Sequence, residues 1–291
     1  MKKAIFIFSA ILIGCLFPAG RAFTYLIRYH LMIMLFFAFL GISLDLSLFN
    51  KNHFKVLFLN IILPTILYFI VLPFSDTLAL VAFVIGIVPT AAAGPVIADL
   101  MNVSVGKVTV SVILTTPIIA LALPFILTYV IGTKGEIALL DLVLPVLSIV
   151  FVPLILSQFF QKVTPKIATQ LQQFGWISFF LFLINIIIGC GNASHFVQTN
   201  QSFSINELLL IILVVILVCV LQFQIGARLS NQRAGSLIYS LALGRKNTML
   251  ALWLSLTFFN PLVALGPIFY VVVQNIYNSV QLWQLDKEPI V

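Results

Sequence analysis

Two full positive charges stand side by side inside an otherwise apolar run, Leu241-Ala242-Leu243-Gly244-Arg245-Lys246-Asn247-Thr248. Each costs about 2.5–3.5 kcal/mol at the centre of a membrane helix even on the lenient insertion scale, so Arg245 and Lys246 are expected to face a cavity or a partner. A second irregular run reads Val88-Pro89-Thr90-Ala91-Ala92-Ala93-Gly94-Pro95-Val96-Ile97-Ala98-Asp99. Its prolines remove backbone donors and clash with the preceding turn, while Gly94 and the alanines let another backbone come close. The competing reading of Pro89, Pro95 and also Pro117 is a plain kink in a membrane helix. Asp99 either pairs with Arg245 or Lys246 or lies at an ordinary interfacial position. Ser111, Thr115 and Thr116 precede Pro117, and Pro267, Tyr270, Gln274 and Asn275 interrupt another apolar run. The Ser and Thr residues either bond their own helix backbone or, together with the tenth-run residues, line a polar cavity between the two irregular runs.

The elements that must position these residues follow from composition. The 291 residues are 62% hydrophobic and only 8% charged, with mean hydropathy +1.20, whereas a soluble domain carries about 25% charged residues. The chain therefore reads as an integral membrane protein with no room for a separate soluble domain. Its long continuous apolar runs exclude the alternating strands of an outer-membrane barrel. A crossing helix needs roughly 20 residues, so the length allows about ten crossings. Apolar runs mark them near 4–17, 30–48, 56–74, 78–101, 108–131, 138–159, 176–190, 208–226, 236–259 and 262–283, the first and seventh being short.

The net charge of +7 sorts by loop rather than forming a nucleic-acid patch. With an even number of crossings, Lys2, Lys3, Lys51, Lys55, Lys107, Lys162, Lys166, Arg228, Arg233 and Lys287 share the side of the termini, and only Arg21, Arg28 and Lys134 lie opposite. The positive-inside rule then places both termini in the cytoplasm of a multi-pass protein of the inner, or plasma, membrane. Lys2 and Lys3 before an apolar run, with Leu12-Ile13-Gly14-Cys15, imitate a signal or lipoprotein segment; losing that segment would break the symmetry described next, so it is read as the first crossing. Cys15, Cys190 and Cys219 are isolated in apolar runs and read as packing residues, with no metal-ligand spacing. His30, His53 and His195 fall near predicted helix ends.

Dividing the chain into 1–135 and 136–291 places five crossings in each half, and in each half the fourth is the irregular one. An odd number of helices per repeat forces the two copies into opposite orientations, the inverted-repeat plan of many secondary transporters. Backbone groups freed at such breaks must be satisfied by ion, substrate, water or polar side chains, so the breaks mark the expected site.

Phe39-Leu40-Gly41-Ile42-Ser43-Leu44, the Pro/Gly-broken fourth crossing, and Gly244-x-x-Asn247 followed by Pro267, Tyr270 and Gln274 together resemble the bile acid:sodium symporter family, in order and over nearly the whole chain. Auxin-efflux-carrier-like proteins share a related plan and are the neighbouring possibility. The resemblance implies a panel from crossings one, two, six and seven and a core from three to five and eight to ten. The broken fourth and ninth helices would cross in the core, with sodium behind the crossing and organic anions such as bile acids, other steroid conjugates or small carboxylates as substrates. This chain departs from the family pattern at the ion site. Where the ninth helix of the family typically reads E-x-G-x-Q-N, Ala242 holds the place of the acid and Lys246 that of the glutamine; where the fourth commonly offers Ser-Asn, this chain has Gly94-Pro95. One fixed ammonium a few Å away repels a bound cation by about 4 kcal/mol at an effective dielectric of 20, which argues against sodium at the usual sites.

The expected fold is thus an all-α polytopic membrane protein with about ten transmembrane helices in two inverted five-helix repeats. The expected function is secondary transport of a small organic anion, sodium-independent or proton-coupled, with the charge of Lys246 or Arg245 standing in for a bound cation and the other attracting substrate. The residues expected to bind substrate or ion are Pro89, Thr90, Gly94, Pro95, Asp99, Thr115, Thr116, Gly244, Arg245, Lys246, Asn247, Thr248 and Gln274. No metal, cofactor or nucleic-acid partner is expected, and oligomeric state is not legible. A non-transporting receptor on the same fold is the alternative from another class. An intramembrane enzyme lacks a paired nucleophile and base or H-E-x-x-H, and no G-x-x-x-x-G-K-[ST] indicates ATP coupling within the chain.

Overall fold

The computed structural model describes residues 2–42, 46–131, 139–199 and 204–287; Ser43, Leu44 and Lys134 lie outside them. Every regular element among the described residues is helical. The chain runs through α1 (Lys2–Leu16), a 3-10 turn (Pro18–Phe23), α2 (Leu26–Leu40), a second 3-10 turn (Leu46–Leu48), α3 (Lys51–Val71), α4 (Asp76–Ile87) and α5 (Gly94–Leu100). It continues through α6 (Val105–Ile131), α7 (Leu139–Val163), α8 (Pro165–Gln172), α9 (Ile177–Thr199), α10 (Ile205–Ala227), α11 (Arg233–Gly244), α12 (Thr248–Phe258) and α13 (Leu265–Lys287).

Five of these helices, α3, α6, α7, α9 and α10, are long and apolar enough to cross a bilayer. Their outer faces carry exposed side chains such as Phe58, Phe125, Leu144, Phe180 and Leu213. Contiguous apolar surface on this scale is untenable in water and ordinary in lipid. Among the described residues the chain has the make-up of a helical membrane protein.

Local chemistry explains the ends of the elements. Asn50 starts α3, its side chain accepting from the Asn52 amide at 3.0 Å, while the Asn50 amide donates to His53 Nδ1 at 3.1 Å. The His53 ring then donates from Nε2 to the Lys107 carbonyl at 2.9 Å, tying α3 to α6 as a neutral tautomer. Ser75 caps α4 by accepting from the Leu78 amide. The orphan carbonyls at the end of α2 are met by glutamines from elsewhere in the chain: Gln161 of α7 donates to Phe39 and Leu40, and Gln172 of α8 donates to Leu40 at 2.6 Å.

The helices pack in two groups. In one, α1 packs on α9, and α2 on both α7 and α9, with His30 hydrogen-bonded to Asn185 and Arg28 donating to Ser148. In the other, α4 packs against α3, α10 and α13, and α10 against α11 and α13. Each group mixes elements from both halves of the chain. From Leu78 to Ile87, α4 is buried at every position, which makes it the central helix of the second group. The apolar run expected at 176–190 forms a longer helix, since α9 continues past Gly191 and Asn192 to Thr199. Gly191 lies against the Pro18–Phe23 turn, where a Cβ would press on the Phe17 carbonyl, and Asn192 spends its amide on Thr24 and the Ile188 carbonyl. Those polar residues make tertiary contacts instead of ending the helix.

Candidate functional site

Both irregular runs are true breaks, but they are made differently. Pro89 forces the preceding Val88 into an extended conformation (φ −62°, ψ 149°) and ends α4 at Ile87. Pro95 sits in the first turn of α5, where no amide is missed. The prolines therefore end one helix and begin the next. By contrast, Pro117 and Pro124 lie within the continuous α6, where the kink reading applies. At the second break no proline intervenes. Arg245 is extended (φ −87°, ψ 109°) after Gly244, and the Asn247 side chain caps α12 by accepting from the Leu250 amide at 3.2 Å.

The two breaks meet as antiparallel extended segments. Thr90 and Lys246 form the bridge, with the Ala91 amide donating to the Arg245 carbonyl at 2.8 Å and the Asn247 amide to the Pro89 carbonyl at 2.9 Å. The remaining freed groups find side chains: Thr90 Oγ1 donates to the Ala242 carbonyl at 2.6 Å, the Thr90 amide to Thr115 Oγ1 at 3.1 Å, and the Lys246 amide to Gln274 Oε1 at 3.1 Å. The Tyr270 hydroxyl lies 2.6 Å from the Gly244 carbonyl and 3.0 Å from Gln222 Oε1. Gly244 permits the close approach, because a Cβ there would overlap the Phe223 ring. The crossing thus satisfies its broken backbone with protein groups, as burial away from water demands.

The two cations leave this crossing in opposite directions. Lys246, 1% exposed, sends its ammonium to Asn60 Oδ1 on α3 and to the Gly86 carbonyl of α4, the latter at 2.7 Å. Arg245 reaches α13, donating from Nη1 to Asn278 Oδ1 at 2.5 Å and more weakly to Asn275 Oδ1 at 3.4 Å. Its Nε is buried without a partner. A cavity of about 430 Å³ separates the crossing from α2 and α9. Arg245, Thr248, Gln274 and Asn275 line one wall, and Leu31, Leu35, Phe179 and Phe182 line the opposite one, with Ser178, whose hydroxyl is also buried without a partner.

No protein-family model and no curated protein matches the chain. Among the sequence-derived residues, the structure brings together Pro89, Thr90, Thr115, Gly244, Arg245, Lys246, Asn247, Thr248 and Gln274. Gly94 is buried at the start of α5, its amide bonded to the Ala91 carbonyl, and Pro95 follows it. Thr116 is buried on α6 with no hydrogen bond to either break. Of the two alternatives for Asp99, the structure gives the one without an ion pair: it is exposed near the end of α5, and Arg245 and Lys246 bond to amides and a carbonyl. Asn60, Gln222, Asn278 and Ser178 join the site without belonging to either irregular run. Asn60 and Gln222 each stand within a crossing-length apolar run, a signal that an intramembrane polar residue has a specific partner.

Proposed function

We propose that this chain is a secondary transporter of a small organic anion, bound in the cavity between the crossing and the α2–α9 wall. The observation that carries the reading is electrostatic. Two cations are buried at the crossing, and no Asp or Glu among the described residues is buried with them. A buried positive charge without a counter-charge favours an incoming anion strongly in low dielectric. Arg245 is the binding group, because its fork geometry suits a carboxylate or sulfonate and its Nε is unspent. The leucine and phenylalanine wall opposite suits an apolar body on that anion. In this reading α4–α5 and α11–α12 are the fourth and ninth of about ten crossings in two inverted repeats, 1–135 and 136–291, with both termini cytoplasmic in the inner or plasma membrane.

The test is uptake into proteoliposomes of radiolabelled benzoate and taurocholate, with sodium and pH gradients imposed separately. Wild-type protein is expected to carry at least one of them, and Arg245→Gln to lose about ten-fold or more in flux at low substrate, the loss of one charge-assisted bond. Absence of flux for both anions, or full flux in the variant, would overturn the assignment. Saturable binding without flux would instead indicate a receptor.

A further inference from the structure

The last four carbonyls of α4 have no amide partner within the helix, and they lie at the negative end of its dipole. One of them, Gly86, accepts from Lys246 Nζ at 2.7 Å and from Gln222 Nε2 at 3.2 Å. Asn60 Oδ1 completes the set around the ammonium. The corresponding end of α11 is met by uncharged hydroxyls, Tyr270 at the Gly244 carbonyl and Thr90 at the Ala242 carbonyl. A full charge is therefore supplied to one of the two helix ends only. The acceptors around Lys246 Nζ, a helix-end carbonyl and an amide oxygen, are those that would otherwise hold an alkali cation. Gly86 itself has no room for a side chain, since a Cβ would overlap Pro64 of α3, so the carbonyl is presented through a gap kept by glycine. Lys246 borders the cavity, but its ammonium is spent on Asn60 and Gly86, neither of which lines it, which leaves anion binding to Arg245.

We propose that the ε-ammonium of Lys246 is a built-in cation that holds the crossing together, in place of any bound alkali ion. Lys246 is then a positioning residue: it fixes α4 against α3 and keeps both breaks in register for Arg245. The assignment rests on the crossing alone. Its consequence for flux, transport that draws nothing from a sodium gradient, rests on the transport reading above.

Thermal unfolding of the detergent-purified full chain tests the proposal without a substrate, so its result stands whether or not an anion is carried. Wild type is expected to melt at the same midpoint in sodium chloride and in equal choline chloride, because a ligand that binds only the folded state must raise the midpoint saturably. Lys246→Ala is expected to melt about 5–10 °C lower, since it leaves buried acceptors unsatisfied, and to regain stability saturably with ethylammonium chloride. Lys246→Met, which fills the stem volume without charge, is expected to be destabilised and indifferent to ethylammonium. A saturable sodium effect on wild type, a Lys246→Met midpoint equal to wild type, or a folded Lys246→Ala protein deaf to ethylammonium would each overturn the proposal. The wild-type sodium titration decides the matter even where neither variant folds.

Discussion

At the first break Thr90 bonds in two directions, through its amide to Thr115 Oγ1 and through its hydroxyl to the Ala242 carbonyl. Thr115 in turn donates to the Ser111 carbonyl at 2.7 Å, so a chain of hydroxyls fastens the break to α6. Thr90→Val keeps the shape and removes the hydroxyl, stranding a buried carbonyl at a cost of about 1–3 kcal/mol. The variant is expected to show a lower unfolding midpoint in detergent, with Thr90→Ser close to wild type. Equal midpoints for the valine and wild-type proteins would mean that the hydroxyl bond carries no net stability. Beyond Arg245 a similar relay runs from Asn278 to Gln281 and on to Ser240, whose hydroxyl meets the Phe223 carbonyl. The relay consists of neutral groups, so the guanidinium charge is not cancelled within it.

The two interrupted helices stop for different reasons. α4 ends through the backbone restriction that Pro89 places on Val88, whereas α11 ends where Gly244 is pressed against Phe223 and restarts only because Asn247 supplies a cap. Removing the Asn247 side chain therefore bears on α12 alone, since the Asn247 amide still donates to the Pro89 carbonyl. Asn247→Ala is expected to cost about 1 kcal/mol and Asn247→Ser very little, the usual preference at a helix N-cap. Chemical unfolding that ranks alanine level with serine would remove the cap from this account.

At the scale of the molecule, the α2–α9 wall and the crossing face each other across a cavity over part of their boundary, while α9 packs on α12 and α13 elsewhere, with Gly189 against Leu252 and Ile268. Alternating access requires such a boundary to slide or rock while each group stays rigid. Leu35 and Met249 line the two sides. In a chain with Cys15, Cys190 and Cys219 replaced by alanine, oxidative cross-linking of Leu35→Cys to Met249→Cys is expected to stop anion flux and leave anion binding from one side. Undiminished flux in fully cross-linked protein would show that the two walls do not move against each other.

Membrane residence, helical class and the two breaks were all legible in the sequence, because lipid demands long apolar runs and lets nothing irregular or charged persist without a reason. The same constraint exposed Arg245, Lys246, Thr90 and Gln274. Sequence could not say which of the alternatives for Asp99 held, nor which way either cation would turn, because both questions depend on elements remote in the chain. Lys246 meets Asn60 and Gly86 across intervals of 186 and 160 residues, and Arg245 meets Asn278 across 33. Only the tertiary packing of α3, α4 and α13 around the crossing assigns the two neighbouring charges to opposite sides, one locked onto a helix end and the other open to a cavity. Side chains one residue apart on an extended segment point to opposite faces, and what each face contains is decided by the fold.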